Sequence, residues 1–551
     1  MKSSPRPRFV GLRPLSTPAL LGICCAMAGT AHAQPAEVRG TWMTTTGPDI
    51  IASGLFTDSF SADLANIGIN TLYTETWKNG YTNWDSQIMQ DLIGVDRNPT
   101  IGASRDLVDE ATASSHRHGL IQIGWAEYGF SSQFQGSGGG IADNPLTAYA
   151  RSQGWLLEDQ LGNNTNASNG FVWMNPAVPE VRELLIDLTL EKIREHDLDG
   201  IQFDDRLSWP REFGWDATTA ALYQADTGNS LPGSTNNSAF RNWRQDKVTQ
   251  FAQELSEAVR SYRPDIQLSV SPSITTFSDV NFNAEWPEWQ DQGLFDEYVI
   301  QAYRDDIAAF NAILPGQTAE FAGGDGGELV LGLRLNGSGP DTPIADLEQM
   351  IVNSALALGG TTAGHSTFYS LGVLQNAASL TPFYGGDAFN PFFDEDRRDT
   401  VLPGVQDLGD PSVFNFAVFD AEQYRLIGFD GLRWQELGSF ELDAGLTSFD
   451  RPGFSQLELL PDLRPIEGDA TFDRTVDLLD FDVISTNFGT VGGLVDGDLN
   501  WDGVVTLLDF DILAQNFGKS FAPATTGTVP EPASAVALGL LGLAVLRRRR
   551  G

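Results

Sequence analysis

Four carboxylates stand where short apolar runs end: Glu75 in Glu75-Thr76-Trp77, Glu127 in Trp125-Ala126-Glu127-Tyr128, and the pair in Phe203-Asp204-Asp205-Arg206. Carboxyl groups whose surroundings push their proton affinities apart can share the acid, base and nucleophile roles of glycosidic-bond cleavage. Aromatic rings accompany them. Trp42, Trp77, Tyr128, Trp286 and Tyr303 offer flat faces to the C–H faces of sugar rings, and Arg206, Gln301, Arg334 and His365 offer hydrogen bonds to hydroxyls. The alternatives are core packing for each ring, an ion pair for each arginine and a structural role for the lone histidine.

Asp204 is the first choice for the nucleophile, or for the charge that stabilises an oxocarbenium-like transition state. Asp205 is the runner-up, because successive strand side chains alternate in direction and only one of the two enters a cleft. Glu127, between Trp125 and Tyr128, is the choice for the acid, since partial desolvation raises a carboxyl pKa. Glu75 is a second acid candidate that also counts among the substrate contacts, and Glu285 or Glu288 could reach in from the loop after the fifth strand. An N-cap or a salt bridge to Arg206 is the structural alternative for the aspartates, and a hydrogen bond to neighbouring strands for Glu127. No His/Asp cluster with zinc spacing occurs in this region, so no catalytic metal is expected there.

Something must bring these residues to one rim. Eight apolar runs, at 38–45, 69–76, 120–128, 200–204, 267–272, 298–303, 329–335 and 364–369, alternate with amphipathic stretches such as 178–196 and 240–262. That alternation predicts an α/β fold, a (β/α)8 TIM-type barrel over 34–385, with the carboxylates at the C-terminal ends of its strands. A doubly wound open sheet is the alternative. The absence of a Gly-rich loop after the first run argues against its nucleotide-binding form. Residues 386–462 change to short alternating runs and predict a β-rich accessory module with a linker.

An internal repeat follows at 463–520. Asp469, Thr471, Asp473, Thr475, Asp477 and Asp480 are echoed 29 residues later by Asp498, Asn500, Asp502, Val504, Thr506 and Asp509. Oxygen side chains at loop positions 1, 3, 5, 9 and 12, with a backbone carbonyl at 7, are what a hard cation needs, so two Ca2+ sites are expected. Thr471 at position 3 and Arg474 in place of the turn glycine make loop two the tighter site.

The ends read as addresses. Residues 1–33 carry Lys2, Arg6, Arg8 and Arg13, a short apolar run and Ala31-His32-Ala33, a signal peptide with its cleavage pattern. Residues 521–528 read as a linker. Over 529–551, Val529-Pro530-Glu531-Pro532 precedes an apolar stretch capped by Arg547 to Arg550. Both cysteines, Cys24 and Cys25, fall in the leader, so the mature chain should hold no disulfide. The 551-residue chain carries a formal charge of −39, and losing the eight basic and no acidic residues of 1–33 and 533–551 brings it to −47. Nucleic acid is thereby excluded as a charge-driven partner.

Three resemblances follow from these residues. Glu37-Val38-Arg39-Gly40-Thr41-Trp42, Trp125-Ala126-Glu127-Tyr128-Gly129-Phe130, Trp173-Met174-Asn175-Pro176 with Pro179-Glu180-Val181-Arg182, and Leu198-Asp199-Gly200-Ile201-Gln202-Phe203-Asp204-Asp205 resemble the glycosyl hydrolase-like 10 family. So do Ser269-Val270-Ser271-Pro272, Trp286-Pro287-Glu288-Trp289 and the run from Phe295 to Arg304. That resemblance implies a barrel glycoside hydrolase, some of whose relatives act on bacterial cell-wall glycans stripped of peptides. The repeat resembles a type I dockerin, which implies a small α-helical calcium domain and a cohesin-like partner. The C-terminal tail resembles the PEP-CTERM sorting signal, which implies sorting machinery and an exported protein at the cell surface, outside the cell or in the periplasm, transiently anchored by that tail. A carbohydrate-binding surface protein without catalysis is the competing expectation.

Overall fold

Runs of branched and aromatic residues bounded by Gly, Asn and Asp form eight strands: β1 (Val38–Met43), β2 (Thr71–Glu75), β3 (Ile121–Ala126), β4 (Gly200–Asp204), β5 (Gln267–Ser271), β6 (Glu297–Gln301), β7 (Glu328–Arg334) and β8 (Gly364–Phe368). Each lies parallel to the next, and β8 returns to β1 through the register Val38↔Gly364, so the sheet closes into a TIM-type barrel. This closure excludes the open sheet. The structure is a computed structural model that describes residues 36–520, apart from 46–53, 103–104, 137–139, 167–168, 322–325, 338, 358–361, 394–400, 420–421, 463, 465, 472–474, 493–495 and 501–503. The expected signal peptide and sorting tail lie outside those residues. Among the described residues no helix is long and apolar enough to cross a membrane.

Strand alternation sends side chains to two cores. Outward residues such as Leu72, Ile201, Phe203 and Val270 pack with the helical layer, which includes α1 (Leu107–Arg117), α2 (Pro179–Glu195) and α3 (Ser238–Tyr262). Each of these helices begins as its sequence directs. Asp106 and Asn237 accept the N–H groups of Asp109 and Phe240 at the starts of α1 and α3, and proline occupies the first turn of α2, where its missing N–H costs nothing.

Inward residues, among them Trp42, Tyr73, Ile123, Trp125, Val299 and Val330, fill the lumen. A polar chain threads this apolar space. Trp42 Nε1 donates to Gln202 Oε1 at 2.8 Å, Gln202 Nε2 to Ser269 Oγ at 2.9 Å, and Ser269 Oγ to Glu297 Oε2 at 2.6 Å. Burial pushes the Glu297 carboxyl up to about 7. Below the strands Asp199 anchors rather than reacts, accepting the Gln122 N–H at 2.7 Å and facing His116 at 2.9 Å.

Five further strands, β9 (Val413–Val418), β10 (Glu422–Phe429), β11 (Trp434–Leu442), β12 (Gly445–Asp450) and β13 (Gln456–Pro461), are antiparallel, with β10 between β11 and β13 and β9 beside β12. They enclose Phe414, Phe416, Leu426 and Leu459. Arg117 of α1 joins them to the barrel, with Nε 2.9 Å from Glu458 and its guanidinium 3.6 Å over the Trp434 ring. Fully buried Arg425 reaches His116 at 2.9 Å and Asp197 at 3.6 Å. Residues 386–393 seat beneath the barrel, where Phe389 bridges Ala36 and Asn390 Nδ2 donates to Thr71 Oγ1, so the expected boundary at 386 cuts through barrel contacts.

In the repeat, α4 (Leu478–Asn487) and α5 (Leu507–Asn516) each start with a capping box, Asp477 with Asp480 and Thr506 with Asp509. Gly468 and Gly497 share a φ of +97°, and each approaches the other unit's helix: a Cβ would meet Asn516 at 3.1 Å in the first case and Ile484 at 2.9 Å in the second. The two units thus pack on each other reciprocally. Leu499, in the second loop, packs against both the small core of the repeat and the outer core of the barrel.

Candidate active site

Parity builds the site. Glu75 lies two residues past lumen-facing Tyr73, Glu127 two past Trp125, and Asp204 two past Gln202, so each carboxylate continues the inward row of its strand to the C-terminal rim. The loop after β2 then doubles back through Asn79 (φ 53°) and Gly80 (φ 74°) and returns Lys78 toward the strand end. Lys78 Nζ sits 2.5 Å from Glu75 Oε1 and 3.1 Å from Glu127 Oε2, bridging the two.

The bridged carboxylates differ in environment. Glu75 is wholly buried and also accepts the Thr45 N–H at 2.7 Å and the Thr45 hydroxyl. Burial and the neighbouring Glu127 charge raise its pKa to about 8 against the pull of Lys78. Burial also pushes Glu127 upward, but the hydrogen bond with Glu75 and the charges of Lys78 and Arg206 outweigh it and hold Glu127 at about 2. One proton therefore resides on Glu75 while Glu127 is ionised.

A pH signature follows. Between its ordinary 4.5 and about 8, Glu75 binds its proton in the folded chain and not in the unfolded one, so stability falls as pH rises through that window. Glu127 acts oppositely, contributing stability that grows from about 2 to 4.5. Glu75→Gln should shrink the decline in unfolding free energy, measured by urea titration, between roughly pH 5 and 8 by on the order of a few kcal/mol. A variant slope equal to the parent's would remove Glu75 from this account.

Asp204 and Asp205 form the second half. Asp204, 3% exposed, accepts Arg206 Nη1 at 2.7 Å and the Arg206 N–H at 2.9 Å. Asp205, 24% exposed, accepts Ser273 Oγ at 3.2 Å and lies 3.8 Å from the same Arg206 nitrogen. Burial raises both carboxyls and Arg206 lowers them, with the net shift upward. Tyr303, two residues past the end of β6, faces the group. Burial first, then the charges of Asp205, Asp204 and Glu127, keep its hydroxyl protonated as a donor.

The site therefore unites Glu75, Glu127, Tyr128, Asp204, Asp205, Arg206 and Tyr303. Trp42, 1% exposed, forms the floor beneath Tyr303 and Phe368 rather than an open platform. Gln301 Nε2 is held by the Ser271 carbonyl at 2.8 Å, and Arg334 ends β7 with Nη2 on the Pro340 carbonyl at 2.6 Å, both half-buried at the rim.

Other expected members lie elsewhere. Trp77 is buried with its N–H on the Gly129 carbonyl, and Trp286 packs on Tyr298 and Phe321 in the outer core, so neither is a sugar platform. His365 is the second residue of β8 and so sits at the barrel's opposite end, buried against Tyr384. Glu288 lies on the outer face of the helix Trp286–Asp291, bonded to Gln292, and Glu285 stands at the N-cap position of that helix without a side-chain capping bond. Lys78, Thr45, Ser273 and Phe368 belong to the site although sequence reasoning did not select them.

An acidic cavity of about 500 Å3, lined by Asp106, Asp109, Glu191, His196 and Glu436, opens on the flank between the barrel helices and β11. It is a seam between structural units, away from the rim.

Residues 37–322 match the glycosyl hydrolase-like 10 family. Proteins named glycosyl hydrolase DigH, from Escherichia coli K12 and Shigella flexneri, are 23% identical over 265 residues, which cover 44% of this chain and 56% of theirs. The chain thus spans little more than half the length of these relatives. Among solved structures, the PgaB (BpsB) glycoside hydrolase domain from Bordetella bronchiseptica aligns at 13% identity and a TM-score of 0.48 over 64% of this chain and 99% of that one. The catalytic domain of a β-amylase from Paenibacillus polymyxa aligns at 10% identity and a TM-score of 0.44 over 64% and 98%.

Proposed function

We propose, for a chain that belongs to the glycosyl hydrolase-like 10 family, an exported glycoside hydrolase that cleaves O-glycosidic bonds of a polysaccharide or a peptide-free peptidoglycan glycan. The observation that carries this reading is one rim holding four carboxylates whose proton affinities are driven apart, Glu75 up and Glu127 down, with Asp204 and Asp205 across Arg206. In this reading Asp204 supplies the negative charge opposite the reacting carbon, with Asp205 as the alternative in the same arc. Glu127, ionised in the resting site, acts as the base toward water rather than as the expected acid, and the proton for the leaving oxygen comes from Glu75 by way of Lys78. Tyr128 and Tyr303 shape the sugar bed above the buried Trp42 floor, and Gln301 and Arg334 meet hydroxyls.

The test is to incubate the mature chain with a glycan panel that includes peptide-free peptidoglycan strands and to identify products by mass spectrometry. New reducing ends support the reading. One observation favours a second reading, a binding protein without turnover: Asp204 and Glu127 are both engaged by cations. Retention on a glycan with no product from any panel member would select it.

The repeat is proposed to bind Ca2+ and to dock a cohesin-like partner, with the C-terminal tail serving sorting at the cell surface. The donor set fits a hard cation: each loop buries two carboxylates, Asp469 with Asp480 and Asp498 with Asp509, among other oxygen side chains. Asp473 and Asp502 lie outside the described residues. Calcium would neutralise these buried charges and so favour the folded repeat. Adding Ca2+ to the chelator-treated chain is expected to raise the unfolding midpoint of the repeat and its resistance to proteolysis, most strongly through loop two. An unchanged midpoint would end the calcium assignment.

A further inference from the structure

We propose that the arm formed by the strands Ser131–Phe134 and Phe171–Trp173 carries a glycan subsite outside the carboxylate cluster, with the Phe171 and Phe134 rings as its stacking face. The inference rests on the glycan-directed reading above. The first arm strand inverts the usual order of polar and apolar residues. Ser131, Ser132 and Gln133 are buried and hydrogen-bonded inward, to the Val172 carbonyl, Thr147 and the Ala142 carbonyl, while Phe134 faces solvent at 40% exposure. Phe134 thus keeps a large part of its ring in water at the end of a strand whose other three side chains are buried.

The exposed ring does not stand alone. Phe134 lies 5.1 Å from Phe171, and Phe171 lies 5.4 Å from Tyr128, edge to face. The Arg206 guanidinium sits 4.4 Å over Phe171 and 5.3 Å over Tyr128, and it is the group that holds Asp204 at 2.7 Å. Planar groups thus run without a break from the carboxylates out to Phe134. The arm is also fixed in place. The Phe134 N–H donates to Asn79 Oδ1 at 2.8 Å, and Asn144 Nδ2 donates to the carbonyls of Asn79 and Ser132. Asn79 follows Lys78 directly, so the stacking face and the bridge between Glu75 and Glu127 hang from one turn.

An exposed Phe134 ring, tilted 55° to Phe171 on a fixed arm, offers an apolar face to the C–H face of a sugar in a chain extending away from the cleaved bond. It offers little to a charged ligand, since Arg206 is already committed to Asp204. The chemical class is therefore a glycan long enough to reach past the cleft, and the consequence is a preference for long chains.

The experiment compares the full chain with Phe134→Ala and Phe134→Trp on peptide-free peptidoglycan strands and on chitin- and cellulose-derived oligosaccharides, each fractionated by length. Cleavage is followed by mass spectrometry and binding by affinity electrophoresis. Phe134→Ala should reduce the preference in kcat/KM for long over short chains by about tenfold, carried by KM, and Phe134→Trp should restore it. Equal length preference in parent and Phe134→Ala would overturn the subsite while leaving the glycosidase reading standing. If the parent binds glycans without cleaving them, the same loss read in affinity supports the subsite and the glycosidase reading falls. A parent that neither binds nor cleaves any of them overturns both.

Discussion

Asp204→Asn is expected to lower turnover of any cleavable glycan by roughly 10^3-fold, the scale on which a positioned acid–base group acts. Asparagine keeps the shape and the acceptor that Arg206 N–H uses at 2.9 Å, and it removes the charge facing Arg206 Nη1 at 2.7 Å. Arg206 retains the Glu127 carbonyl at 2.9 Å and Asp205 at 3.8 Å, so the fold should persist with an unchanged circular dichroism spectrum. Asp205→Asn is the control that separates the two aspartates. Asp205 is the more exposed of the pair, and if its variant is inactive while Asp204→Asn turns over at near parental rate, Asp204 becomes a positioning residue for Arg206 and the nucleophile is reassigned. Parental rates in both variants would move catalysis away from this arc.

The second large effect belongs to Lys78→Met. Methionine fills the stem but leaves Glu75 and Glu127 adjacent with no cation between them. Breaking a buried ion pair costs about 3–5 kcal/mol. The lower end applies here because Lys78 and Glu127 each keep 18% exposure. Turnover should fall by roughly 10^2-fold, within the range of a misplaced proton-transfer group. The direction in pH is definite. Lys78 helps to hold Glu127 at about 2, so its loss raises the Glu127 pKa, and the ionised form is reached only at higher pH. The acidic limb of the pH–rate profile should move upward, and a limb that stays in place would mean that Glu127 is not the titrating group.

These effects turn on residues of unequal visibility in the sequence. Glu75, Glu127 and Asp204 were readable because each ends an apolar run, and strand parity carries an end residue to the rim. Lys78 was not, because its direction depends on the left-handed backbone at Asn79 and Gly80, and a turn of that kind leaves little trace in hydropathy. Phe171 comes from an arm whose strands lie about forty residues apart in the chain, so only tertiary pairing sets it beside Tyr128. His365 was misplaced for a different reason. The run containing it does form β8, but position along a strand decides which end of the barrel a side chain meets, and an apolar run does not mark its own midpoint. Trp77 and Trp286 show the same limit for rings: a tryptophan beside a strand end serves the outer core as readily as the cleft.

Arg425 belongs to the β-rich module in chain order, yet its guanidinium ends among His116 and Asp197 of the barrel with no exposure to water. Cutting the chain between 393 and 402 would part Arg425 from His116 and Asp197, leaving it Glu436 at 3.8 Å on its own piece and leaving His116 with Asp199 on the other. Such a seam limits recombination. This barrel can exchange its appendage only for one that delivers an arginine to the same point, so the two parts should be inherited together and should melt in one transition. The number of independently exchangeable pieces in this protein is smaller than the number of segments its sequence displays.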